Sequence, residues 1–134
     1  MIYLLTGLGG VVGAISRYLI GVWMEHSPLL SFPFHTLLIN LSGCFILSIF
    51  YTLADRKIKV HPYFRTAFGT GMIGAFTTFS TFCYESVSLI KSNHFGSAFL
   101  YIFFSMAGGY LCSALGAYLG SGNGKKPKLL QKRK

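Results

Sequence analysis

The stretch Gly71–Phe82, GMIGAFTTFSTF, decides how this sequence is read. It lies inside an apolar run over about residues 63–90. Yet it sets four hydroxyls within five residues, Thr77, Thr78, Ser80 and Thr81, among Phe76, Phe79 and Phe82. Gly69, Gly71 and Gly74 come just before. Such a run makes a poor unbroken helix, because glycine costs backbone entropy and short hydroxyls compete for backbone groups. Two readings stay open. Either the hydroxyls bond back to the preceding turn of a packed helix, or the helix breaks near residues 74–78 and frees main-chain carbonyls. At membrane depth freed carbonyls are tolerated only inside protein or along a cavity, and unwound segments of this kind hold ions in transporters. Phe79 and Phe82, three residues apart, share a helix face. Aromatic ring edges are electropositive, so this pair can present positive rims to a small anion, with Ser80 and Thr81 as hydroxyl donors beside them.

Composition agrees with a membrane setting. The chain has 134 residues, 52% hydrophobic and only 11% charged, with mean hydropathy +0.55. A soluble domain carries about 25% charged residues. The fold class is therefore all-α integral membrane. Apolar runs of the ~20 residues needed to cross hydrocarbon fall at about 2–24, 34–54, 63–90 and 95–119. They predict four transmembrane helices, the third broken near its middle, in one unit over residues 1–124. No signal peptide is expected, since the first run has no basic start and is too long for an h-region. Residues 125–134, KKPKLLQKRK, hold six of the twelve Lys and Arg and form a basic tail, expected to be disordered beside anionic lipid rather than bound to nucleic acid.

Four spans put both termini and the loop after the second span on one side. That side collects Arg56, Lys57, Lys59, Arg65 and the tail, against Lys91 and Glu25 on the other. The positive-inside rule then places both termini in the cytoplasm.

Few single residues suggest chemistry. Cys44, Cys83 and Cys112 lack metal spacing and read as small packing residues. His26, His35, His61 and His94 sit at span ends or in loops. No nucleophile–base pair is visible, so no enzyme is expected. GLGGVVG (7–13) lacks dinucleotide-motif offsets; Gly9, Gly10, Gly13 and Ala14 instead suit close helix packing, as do Gly108, Gly109, Gly116 and Gly120. Arg17 reads either as a snorkelling side chain or as a cation that favours an anion nearby. Asn40, in LLINLSG, is either inter-helix glue or a pore-lining donor. Glu85 is costly at depth and must face protein or water.

With GGVVGAISRY (9–18), FPFHTLLINLSGCF (32–45) and GMIGAFTTFSTFCYES (71–86), the sequence resembles the CrcB/Fluc family of fluoride channels over nearly all of its first 120 residues. The resemblance implies a fluoride-specific channel giving passive efflux across the plasma membrane, assembled as an antiparallel, dual-topology-type dimer with two pores. It implies a structural, untransported Na⁺ held by the carbonyls of Gly74 and Thr77. It assigns Phe79, Phe82, Asn40, Ser80, Thr81, Glu85, Tyr101 and Ser105 to the fluoride pore, and Arg17 to its vestibule.

Two features depart from that pattern. His35 stands where the family commonly has glycine, which alters the start of the second span. The charge bias of about ten to one also favours insertion one way only, so the partner is either a second copy or an inversely oriented paralogue. A rival class, a small proton-coupled multidrug exporter, needs a carboxylate in the first span, where this chain has Arg17. A non-transporting assembly subunit or lipid-binding protein would not need the polar run with an embedded Asn.

Overall fold

The computed structural model describes residues 1–25 and 32–122; His26 and the expected basic tail at 125–134 lie outside them. Three helices, α1 (Ile2–Glu25), α2 (Phe34–Arg56) and α6 (Phe95–Ser121), are long and apolar enough to cross a membrane. At 1.5 Å per residue, 23 residues reach roughly 35 Å, the hydrocarbon thickness with little to spare. The remaining elements among the described residues are shorter helical pieces, with no strand.

The apolar run expected at about 63–90 is divided into pieces. Helix α3 (Pro62–Thr66) leads into a π-helical stretch (Ala67–Ile73) and a single turn, α4 (Gly74–Phe76); α5 (Phe79–Lys91) follows. Between α4 and α5 the backbone is extended, with φ −77° and ψ 157° at Thr77 and φ −144° and ψ 117° at Thr78. Three glycines in and beside the π-helical stretch weaken its helical preference.

Most large apolar side chains point outward, among them Tyr3, Leu8, Val12, Trp23, Phe99 and Tyr110, while the buried core is small: Leu37, Ile39, Ile73, Leu89, Ala98 and Tyr101. Lipid matches such a surface, so close backbone approach must hold the helices together. Helix α1 lies against the π-helical stretch through glycine. A β-carbon on Gly9 would strike the Ala67 carbonyl, and one on Gly13 the Met72 carbonyl. Helices α2 and α6 meet in the same way, with a β-carbon on Gly116 falling 2.6 Å from the Phe45 carbonyl oxygen. Ser48 Oγ adds a 2.6 Å hydrogen bond to the Ser113 carbonyl across that seam. Gly9, Gly13, Gly108, Gly116 and Gly120, expected to pack, do pack, whereas Cys83, expected as a small packing residue, is exposed on α5.

At the end of α2, Arg65 stacks over the Tyr51 ring at 4.8 Å and pairs with Asp55 at 2.7 Å. Both partners of the ion pair are solvent-accessible at this end, so the pair contributes little.

Candidate functional site

Thr77 and Thr78 are extended because other groups take over their helical hydrogen bonds. In a continuing helix the Thr78 N–H would close on the Gly74 carbonyl. It donates instead to Asn40 Oδ1 at 2.8 Å, while Asn40 Nδ2 donates back to the Thr78 carbonyl at 3.0 Å. Likewise the Thr81 N–H, which a continuing helix would give to the Thr77 carbonyl, goes to Thr78 Oγ1 at 3.2 Å. Thr78 is thus the N-cap of α5. The Gly74 and Thr77 carbonyls lose their helical donors in this way, and the Ala75 and Phe76 carbonyls between them also end at the break.

The hydroxyls of the opening stretch divide between the two readings. Thr77 Oγ1 bonds back to the Ile73 carbonyl at 3.0 Å. Thr78 Oγ1 is a hub, 2.8 Å from Thr81 Oγ1 and 3.3 Å from Ser80 Oγ. Ser80 is exposed and Thr81 half-buried. Asn40 serves as inter-helix glue, and it also lines a groove of about 280 Å³ with Gly43, Gly74, Thr77, Thr78 and Phe79. One of its two amide hydrogens is committed to Thr78, leaving one available. A β-carbon at Gly43 would collide with the Thr77 methyl group, so the glycine admits Thr77 against α2.

Phe79 stands 77% exposed on this protein's surface. Phe82 is half-buried, its ring centroid 5.7 Å from that of Phe79 and 5.3 Å from that of Tyr101. Tyr101 is fully buried and donates its hydroxyl to Glu85 Oε2 at 2.7 Å. Thr36 Oγ1 donates to Glu85 Oε1 at 2.9 Å, and His35 Nε2 lies 3.3 Å from the same oxygen. Both carboxylate oxygens are therefore occupied, which offsets much of the cost of a carboxylate at depth.

Arg17 is half-buried on a second cavity, of about 190 Å³, shared with His35, Thr36, Thr78 and Thr81. The structure thus brings Arg17, Asn40, Gly74, Thr77, Ser80, Thr81, Phe79, Phe82, Glu85 and Tyr101 around the α4–α5 break. Ser105 is half-buried on α6, one turn beyond Tyr101, and lines neither cavity. Sequence reasoning missed Thr36 and Gly43. Their spacing from Asn40, four and three residues, places all three on one face of α2, a signal that was available. It also missed that His35 reaches Glu85, which no spacing announces.

Membrane-length helices around a polar break with an embedded arginine define a multi-pass α-helical membrane protein. The model of the family described as "CrcB-like protein, Camphor Resistance (CrcB)" matches residues 4–117, and the chain belongs to that family. It is 43% identical over 120 residues to Fluoride-specific ion channel FluC 1 of Bacillus thuringiensis subsp. konkukian, covering 90% of this chain and 88% of that one. It is 41% identical to Fluoride-specific ion channel FluC of Acidobacterium capsulatum, covering 90% and 97%. With Fluoride-specific ion channel FluC 2 of Geobacillus kaustophilus it shares 40% identity, over 87% and 90%. These relatives are named as channels, not as enzymes or exporters, and the exporter alternative gains no support from them.

Proposed function

We propose that this chain is the subunit of a fluoride-specific channel in the plasma membrane, giving passive efflux that lowers cytoplasmic fluoride. The observation that carries the reading is the break at Thr77–Thr78, held open by Asn40 and followed at once by the Phe79–Phe82 pair. The names of the relatives support fluoride as the permeant ion. In this reading the pieces from Pro62 to Lys91 form one broken third span, and both termini face the cytoplasm.

The residues divide the work. A small anion must lose water to pass, and the rims of Phe79 and Phe82 replace part of its hydration with weakly positive edges. Ser80, Thr81 and the remaining Asn40 amide hydrogen donate to it directly. The N-terminus of α5, capped at mid-run, adds a partial positive charge. Arg17 raises the anion concentration in the adjoining cavity. Tyr101 spends its hydroxyl on Glu85, so its part is to hold that carboxylate and to back the Phe82 ring. Ser105 is retained as a donor farther along the path.

Na⁺ fits the donors present, because hard cations take oxygen ligands; the family resemblance points to the carbonyls of Gly74 and Thr77, and both have lost their helical donors at the break. When bound, the ion supplies a fixed positive charge that ties chains together. Both carbonyl-bearing residues line the open 280 Å³ groove beside exposed Phe79, a face suited to an antiparallel partner. The one-sided charge of the loops favours an inversely oriented paralogue as that partner, with a second copy of this chain as the alternative.

Fluoride efflux from liposomes holding the purified protein, alone and with an inverted paralogue, tests the function. Fluoride release without chloride release is expected. Equal release of both, or of neither in either preparation, rejects it.

A further inference from the structure

His35 belongs to no part of the mechanism above, yet it stands between two of its groups. It occupies the first turn of α2 and lines the cavity that holds Arg17, Thr78 and Thr81. From the other side its Nε2 lies 3.3 Å from Glu85 Oε1. That carboxylate already receives Thr36 and Tyr101 hydroxyls. A carboxylate has about four acceptor sites, so a third donor fits without displacing either. The His35 side chain is 36% exposed and Glu85 15%, so the imidazole is the member of the cluster that exchanges protons with the cavity.

We propose that His35 sets the charge at the mouth of the conduction path: its protonation pairs Glu85 and adds a second cation beside Arg17, so that fluoride enters more readily in acid. This inference rests on the fluoride-channel reading. The titratable and charged groups facing the ring are Arg17 and Tyr18 from α1, Glu85 from α5 and, behind the carboxylate, Tyr101 from α6. Among ordinary side chains, imidazole is the one whose charge changes between about pH 5 and 8. Uncharged, His35 leaves the full negative charge of Glu85 one ring behind the cavity wall, opposing an anion. Charged, it donates Nε2–H to Oε1 and cancels that opposition. Both effects act in the same direction, and the proton comes from and returns to solvent. In the proposed topology α2 begins on the outer face. Acid outside is the condition under which neutral HF enters cells, so conductance would rise when it is needed.

The test is fluoride current across a planar bilayer, which counts the ion and not neutral HF, with both chambers at about pH 5.5 and then about pH 7.5. Wild type is expected to carry at least about threefold more current in acid. His35→Gln, which keeps a hydrogen-bonding side chain but cannot titrate, should be flat at the lower level. His35→Arg should be flat at the higher level. A second readout is independent of conduction. Histidine-selective NMR of the whole protein should show the His35 signal responding to the exchange of chloride for fluoride, because linkage is reciprocal. A flat wild type, a slope surviving in His35→Gln (which assigns the titration to Glu85), or a His35 signal indifferent to that exchange overturns the role of His35. Wild-type protein with no fluoride current at either pH rejects the channel reading itself, and this inference with it.

Discussion

Asn40 brackets Thr78, accepting its N–H at 2.8 Å and donating to its carbonyl at 3.0 Å, as a strand neighbour would. A side chain on α2 thereby replaces the helical bonding that the chain gives up between α4 and α5. Removing it leaves a main-chain donor and acceptor unpaired in a region that is poor in water. Each such orphan costs about 1–3 kcal/mol. Asn40→Ala should therefore lose about 2–6 kcal/mol of stability and most fluoride efflux, by thermal unfolding in detergent and by liposome flux. Asn40→Asp, which keeps the acceptor but loses the donor and adds a negative charge to the path, should lose fluoride efflux as fully as Asn40→Ala.

Two glycines separate folding from assembly. A β-carbon at Gly74 would meet only the Gly69 carbonyl oxygen, at 3.8 Å, whereas one at Gly13 would strike the Met72 main chain. Gly74→Leu should leave a folded protomer that fails to dimerise. Gly13→Leu should fail to fold. Size-exclusion chromatography with circular dichroism distinguishes them, and a normal dimer from Gly74→Leu would remove that face from the interface.

The two phenylalanines should matter equally for transport and unequally for stability. Phe79 is exposed in the single chain, so Phe79→Ile should change protomer stability by less than about 0.5 kcal/mol. Phe82 packs on Tyr101, and Phe82→Ile should cost about 1–2 kcal/mol. Both should abolish fluoride efflux with assembly intact. Normal flux in both variants would take the rings out of the mechanism.

Thr36 and Tyr101 hold opposite oxygens of one carboxylate. Thr36→Val and Tyr101→Phe should each cost about 1–2 kcal/mol, and their effects should not add, because the first loss already frees Glu85 to move. A double-mutant cycle on unfolding free energy measures the coupling. A coupling near zero would mean that Glu85 is held elsewhere.

The charge bias of the sequence predicts a single orientation. A reporter fused to the C-terminus of the chain expressed alone should report the cytoplasmic face only. Equal signal on both faces would favour a homodimer over a pair of inverted paralogues.

Much of this architecture was legible beforehand. Membrane helices need only length and apolar content, so α1, α2 and α6 follow from runs of residues read in order. The glycine stripes at 9–13 and 116–120 are equally local, since a missing β-carbon permits close approach whatever the neighbour is. The glycines and hydroxyls of 69–81 likewise marked where helical preference is weakest. Which groups then take up the abandoned hydrogen bonds was decided only by tertiary structure. Asn40 meets Thr78 across 38 residues, and Thr36 meets Glu85 across 49. Those meetings depend on how α2 is rotated against α5 and α6, and that rotation is set by packing of whole helix faces, not by any short stretch. The same rotation buries Tyr101 and turns His35 toward Glu85, joining residues that, taken along the chain, have nothing to do with one another.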